Sequence, residues 1–472
     1  MKFGTDGWRA VIAEDFTFDN IRFCAQGVAE YLKQEGLESR GLIIGYDNRF
    51  ASEDFAEAVA EVIAGNGIKV FLTPHPVPTP VISFGVAFKE TAGAIIITAS
   101  HNPARWNGLK LRTADGSSAP PEVIAPVEKL IDRALNAGKT NRIPIDLARE
   151  KKLVESLDLT PIYLERAAKF VDLDELRRAR LKVIVDTMYG VGVGYLKTLL
   201  DSSTIDVKEI NNERNPAFPG INPEPIAVNL GKLSAAIREH QADIGIAQDG
   251  DADRIGIIDE KGEFLTQFQV FALLCLYLLE VRGERGPVVK TITSTSMVDR
   301  LGEIYNVPVY ETAVGFQYVA PVMVAEDAII GGEESGGYGF KGHVPERDSV
   351  VAALYFLDFM VKTSKTPAQL LEYLYSKVGP HYYHRTDIHF PEDKRVRILT
   401  RMRENYPDTI DGVRVVKRDT TDGFRFILAD KTWLLIRFSG TEPVLRVYAE
   451  SDSMARVERL LELGMQLAGV SA

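Results

Sequence analysis

Cysteine is almost absent from this 472-residue chain, which has two, Cys24 and Cys275. They lie far apart, each in an apolar, helical-looking stretch. That excludes a disulfide framework and leads us to expect two buried free thiols in a reducing compartment. An excess of basic charge is also missing. The formal net charge is −11, which argues against a general nucleic-acid binder but leaves room for a local basic pocket around an anion. No apolar run reaches membrane-spanning length, and the opening MKFGTDGW lacks the apolar region of a secretory signal. The chain therefore reads as cytoplasmic, with neither membrane nor nucleic acid among its partners. What is present is ordinary globular composition, 45% hydrophobic and 26% charged. The length suits roughly three or four domains.

One pattern recurs three times: an apolar strand, a helix, a second strand, and later a strand that ends in a polar loop. The first round runs from GLIIGYDNR through IKVFLTP to AIIITASHNP, with Ser52 as the expected cap of the intervening helix. The second runs from LKVIVDTMYG through IDVKEIN to ADIGIAQDGDADR. The third runs from GPVVKTITST through VPVYETAVG to AIIGGEESGG. Strands alternating with helices predict α/β domains with mixed or parallel sheets. The C-terminal part differs. GFRFILADKTWLLIRFSG alternates apolar and polar residues about a turn at Asp430-Lys431, and a helix follows from about Ser453 to Leu467. The charged stretch Asp146–Asp158 and the stretch Tyr375–His384 read as junctions. The expected divisions are 1–152, 153–256, 257–374 and 375–472.

The loops carry the chemistry. Ser100 should sit just past the C-terminal end of a strand, where open α/β sheets bind ligands. No G-x-S-x-G elbow surrounds it, and His101 next in sequence does not by itself make a hydrolase dyad. Asp249, Asp251 and Asp253 alternate in DGDADR, so their carboxylates can converge, and three hard anionic oxygens suit Mg²⁺. An EF-hand is excluded by Arg254 at the sixth position, where glycine is required, and by the strand before it. A serine beside such a site suggests phosphoryl transfer. Lys110 could act as acid or base if a cationic neighbour such as His101 or Arg9 lowers its pKa. GGEESGGYGF offers Glu333, Glu334 and Ser335 to sugar hydroxyls. RFSGTEPVLR offers Arg437, Ser439, Thr441 and the Gly440 N–H to a phosphate.

Together and in order, FGTDGWR, TASHNPARWNGLK, DGDADR, GGEESGG and RFSGTEP resemble the α-D-phosphohexomutases, which include phosphoglucomutase, phosphomannomutase and phosphoglucosamine mutase. The resemblance implies three similar α/β mixed-sheet domains and a C-terminal α+β domain around a central cleft. It also implies Mg²⁺ held by Asp249, Asp251, Asp253 and Ser100, and a phosphorylated Ser100. The phosphoryl group then passes through a hexose 1,6-bisphosphate between hexose 1-phosphate and hexose 6-phosphate. By motif position Lys110 is the acid/base, and Arg9, His101 and Arg254 are supporting cations. Glu333 and Ser335 hold the sugar, and Arg437, Ser439, Gly440 and Thr441 hold the distal phosphate. Lys290, after GPVVK, is a further substrate contact. Two positions depart from many relatives: Gly337 and Phe316 stand where histidine is common. The expected sugar is glucose, with mannose or glucosamine as alternatives. A metal-dependent sugar phosphatase and a silent sugar-phosphate sensor are the other readings. The assembly expected is a monomer or homodimer, and the C-terminal domain should hinge near Gly379–Pro380.

Overall fold

Three of the four sheets share one plan. The computed structural model describes residues 1–4, 6–202, 204–390, 392–404, 406–438 and 444–470. The first sheet comprises β1 (Trp8–Val11), β2 (Leu42–Tyr46), β3 (Val70–Leu72), β4 (Ala94–Ile97), β5 (Trp106–Arg112) and β6 (Val154–Ser156), in the order β1-β5-β4-β2-β3-β6. The second has β7 (Leu181–Asp186), β8 (Ile205–Ile210), β9 (Ile244–Gln248), β10 (Ile255–Ile258) and β11 (Phe264–Leu265), ordered β11-β10-β9-β7-β8. The third has β12 (Val288–Thr291), β13 (Val309–Thr312), β14 (Ile330–Gly332) and β15 (Tyr338–Phe340), ordered β13-β12-β14-β15. In each, a central strand pairs in parallel with two neighbours, and the second of these turns back through a loop into an antiparallel strand. The turning loops are topologically equivalent. They are the Ser100 loop between β4 and β5, DGDADR between β9 and β10, and GGEESGG between β14 and β15. All three leave the C-terminal end of a parallel strand.

The fourth sheet is antiparallel throughout: β16 (Tyr382–His389), β17 (Thr409–Ile410), β18 (Val413–Asp419), β19 (Phe424–Leu428), β20 (Trp433–Phe438) and β21 (Val444–Ser451), ordered β16-β21-β20-β19-β18-β17. Asp430 and Lys431 form the β19–β20 turn as expected. The final helix, Met454–Ala468, buries Val457, Leu460 and Leu461 against this sheet.

Three local expectations are revised. Ser52 is the first helical residue rather than the cap, and its Oγ donates to Asp47 Oδ1 at 2.8 Å. The stretch Asp146–Asp158 contributes a helical turn and β6, the edge strand of the first sheet, so that sheet extends past 152. The three-residue strand is too short for its alternation to stand out among the surrounding charges. The second sheet likewise runs on to Leu265, past 256, because β10 and β11 return against β9.

One apolar core runs continuously through the first three domains, from Val81 and Ile82 to Ile246, Phe271 and Leu354. The C-terminal domain keeps its own core and meets the third domain through a small cluster of Ile292, Trp433, Leu435 and Tyr448. Cys24 and Cys275 are both free and buried. Among the described residues no helix is long and apolar enough to cross a membrane.

Candidate active site

β4 is apolar and buried along its length and delivers the chain to Ser100. Ser100 is fully buried at φ +52°, in a turn that its N–H closes by donating to Thr98 Oγ1 at 2.8 Å. Arg49, just past β2, holds this turn from behind. It donates to the carbonyls of Ser100 (2.7 Å), Asn102 (2.6 Å), Pro103 and Trp106 (each 3.0 Å) and pairs with Asp47 at 3.3 Å. A planar fork with five donors suits four carbonyls in a way an ammonium does not. Sequence reading passes over Arg49, because an arginine after an apolar strand is too common a signal.

The DGDADR loop meets the seryl turn backbone to backbone. A Cβ added to Gly250 would lie 2.4 Å from Ser100 O, so any larger residue there must push the loops apart. Ser100 Oγ donates to Asp249 Oδ2 at 2.8 Å. Asp249 Oδ1 accepts the N–H groups of Asp253 and Arg254, both at 3.0 Å. Asp251 Oδ2 accepts from Thr79 Oγ1 (2.6 Å) and Lys110 Nζ (2.7 Å). The other oxygens, Asp251 Oδ1 and Asp253 Oδ1, are buried without a donor among the described residues. One oxygen from each carboxylate lies within 4.8 Å of the other two. Burial and the charges of Asp253 and Asp251 push Asp249 well above the usual carboxylate range. Crowded buried carboxylates with two idle oxygens fit a hard divalent cation.

The cations around this triad differ from expectation. The expected lowering of the Lys110 pKa does not occur, although the charge of Arg347 pulls it down. Lys110 Nζ lies among Asp251 (2.7 Å), Asp6 (2.8 Å) and Asp253 (3.0 Å). Burial opposes its charge, but the three carboxylates outweigh burial and raise the pKa. His101 is not a supporting cation either. Burial, then the charges of Arg254 and Arg9, push it well below its ordinary value, leaving a neutral ring with Nδ1 3.3 Å from Ser100 Oγ. Arg9, on β1, donates to Asn102 Oδ1 at 2.7 Å in the seryl loop. Arg254 Nε lies 3.7 Å from Asp253 Oδ1.

Two residues at the centre were not selected from sequence, Asp6 and Arg347. Asp6 takes Lys110 and Arg347 (2.6 Å) on one oxygen and Arg112 (3.1 Å) on the other. These charges hold its carboxyl well below the ordinary value against burial. Arg347 also reaches Asp253 (2.9 Å), Glu346 (3.1 Å) and Glu333 (3.4 Å). It thereby joins the N-terminal segment, the triad loop and the GGEESGG loop. Asp6 stood inside FGTDGWR, and Arg347 in the charged run PERD before an apolar helix, but only tertiary contact reveals their partners. Both departures noted in the sequence pack on Arg347. A Cβ on Gly337 would lie 2.2 Å from Arg347 Cδ, and the Arg347 guanidinium lies 5.5 Å from the centre of the buried Phe316 ring.

Glu333 is buried toward Arg347, and burial raises its pKa against that arginine's pull. The Ser335 hydroxyl is buried without a partner among the described residues. Lys290 is not brought to the triad. Its ammonium is fully buried and bound by Thr295 O (3.1 Å), Asp299 and Glu311 (3.4 Å) within the third domain. Arg437 pairs with Asp422 at 2.9 Å. Ser439, Gly440 and Thr441 lie outside the described residues.

Comparison with known proteins gives a consistent picture. Family models described as "Phosphoglucomutase/phosphomannomutase, alpha/beta/alpha domain" I, II and III match residues 1–137, 161–262 and 268–378, and the C-terminal-domain model matches 399–463. A "Phosphoglucomutase/phosphomannomutase" of Thermococcus kodakarensis is 32% identical, with 98% of each chain covered. A "Probable phosphoglucosamine mutase" of Methanosphaera stadtmanae is 29% identical, covering 97% of this chain and 96% of its own. A crystal structure from Thermus thermophilus, provisionally described as a phosphomannomutase, superposes with a TM-score of 0.84 at 33% identity over 99% of each chain. The N-acetylphosphoglucosamine mutase of Aspergillus fumigatus, in complex with GlcNAc-6P and magnesium, shares the fold with a TM-score of 0.60 at 16% identity, covering 100% of this chain and 96% of its own.

Proposed function

This chain belongs to the phosphoglucomutase/phosphomannomutase family, and we propose that it is a Mg²⁺-dependent phosphohexomutase that interconverts the 1- and 6-phosphates of a hexose, glucose first. The observation that carries this reading is the meeting of Ser100 Oγ with Asp249 Oδ2 beside the idle oxygens of Asp251 and Asp253. Asp249, Asp251 and Asp253 would hold the ion together with a phosphorylated Ser100. When bound, Mg²⁺ withdraws charge from the phosphoryl group in transfer.

Ser100 carries the phosphoryl group. Its Oγ–P bond breaks as a sugar hydroxyl oxygen forms its own bond to phosphorus, and the hydroxyl proton is returned to Ser100 Oγ. By motif position Lys110 is the acid/base, and because Asp6, Asp251 and Asp253 favour its ammonium it serves as the proton donor, with His101 Nδ1, 3.3 Å from Ser100 Oγ, as the group able to accept one. Glu333 and the unpartnered Ser335 hydroxyl bind sugar hydroxyls. Arg437, with Ser439, Gly440 and Thr441, holds the phosphate that is not reacting. The hexose 1,6-bisphosphate so formed turns over and returns its other phosphate to Ser100. Closure around the sugar keeps water from the phosphoserine. Residence in the cytoplasm belongs to the same reading and is supported by the two free, buried thiols.

Mannose and glucosamine phosphates fit this site class about as well, since relatives of both kinds match along nearly the whole chain. Side-by-side turnover of glucose, mannose and glucosamine 1-phosphates, primed with the matching bisphosphate, ranks them. Phosphate release faster than isomerisation on all three would sink the mutase reading.

A further inference from the structure

Glu334 stands between the two proposed sugar ligands, yet its side chain leaves the sugar loop. Its Oε1 accepts from Tyr383 Oη and from Arg385 Nη1, each at 3.0 Å, and both donors lie on β16 of the C-terminal domain. β16 is the first strand after Gly379, where the helix Pro367–Val378 stops. Tyr383 is wedged between the third domain's Phe268 (ring centroids 4.1 Å apart) and the C-terminal Trp433 (6.3 Å). The loop that carries Glu334 is a tight hairpin. Gly332 pairs with Tyr338, and the Glu333 N–H donates to Gly337 O at 3.1 Å. Glu333, Glu334 and Ser335 therefore move together.

The C-terminal sheet explains what this link joins. Strand register puts Arg385, Arg437 and Arg425 on one face, on β16, β20 and β19. Arg385 and Arg425 are tied to third-domain acids, Glu334 and Glu311. Arg437, on a strand between theirs, pairs with Asp422 of its own domain, whose Oδ2 also accepts the third-domain Val314 N–H at 3.1 Å. The outer arginines fasten the sheet to the third domain directly, and Arg437 reaches it through Asp422.

We propose that Glu334 is a positioning residue that couples the sugar loop to the C-terminal domain, so that gripping the hexose and presenting Arg437 to the distal phosphate are one motion. The proposal rests on the phosphohexomutase reading for its kinetic consequence, but the link itself can be read without turnover. A coupling of this kind is reciprocal and is isolated by a double-mutant cycle.

The test uses Glu334→Arg, Arg385→Glu and the charge-swapped pair in the full chain. Each single variant should raise KM for hexose 1-phosphate about tenfold with kcat within about twofold, and the swap should bring KM back within about twofold of the native protein. Solution scattering of the ligand-free proteins should show a larger radius of gyration for Arg385→Glu and recovery in the swap. Single-variant effects that add in the double variant, or scattering that does not change, would overturn the coupling. If the native protein itself turns over no hexose phosphate, the functional reading fails and scattering alone decides the coupling.

Discussion

At the scale of single residues, Ser100→Ala separates chemistry from folding. In the proposed reaction the hydroxyl accepts the phosphoryl group, while alanine bears the left-handed φ of +52° no worse than serine. Turnover should fall at least ~10³-fold with the melting temperature within about 2 °C, measured by isomerase assay and calorimetry. Gly250→Ala should do the reverse kind of damage. Its methyl would lie 2.4 Å from Ser100 O, a backbone atom that Arg49 pins in place. Stability should drop by about 1–3 kcal/mol and activity with it, since the triad must shift away from the serine. The alternating aspartates and Ser100 were legible because their chemistry is written in adjacent residues. The charge states of Lys110 and His101 were not, because Asp6 and Arg254 reach them only through the fold.

At the scale of elements, the seam between the third and C-terminal sheets adds paired charges to its apolar cluster. Burial favours the neutral acid at Glu311, but Lys290 and Arg425 outweigh it and draw the group down to about 2 from an ordinary 4.5. A folded-state pKa below the unfolded one gives stability that is complete above the unfolded value and is lost as pH falls through the folded one. Thermal midpoints should therefore decline as pH falls from about 4.5 toward about 2, and Glu311→Gln should flatten that decline while lowering stability near neutrality. The three-fold strand plan was legible from apolar runs that end in polar loops. β6 was not, since three residues among charges carry too little periodicity. Nor was the seam, whose partners Glu334 and Arg385 are 51 residues apart.

Across the whole molecule, one apolar core reaches all of the first three sheets while the fourth has its own and touches the third domain through the cluster of Ile292, Trp433, Leu435 and Tyr448. The two thiols belong to the interiors of the first and third domains. Burial pushes Cys24 up to about 12 and raises Cys275 as well. Neither should react with a disulfide reagent at neutral pH until the protein unfolds, and a colorimetric thiol count with and without denaturant checks this. That inertness makes the native chain a blank background for site-directed labelling. New cysteines on the exposed surfaces of the first domain and of the final helix would be its only reactive sulfurs. A donor and acceptor dye could then report the separation of those two bodies during turnover, with no native sulfur removed beforehand.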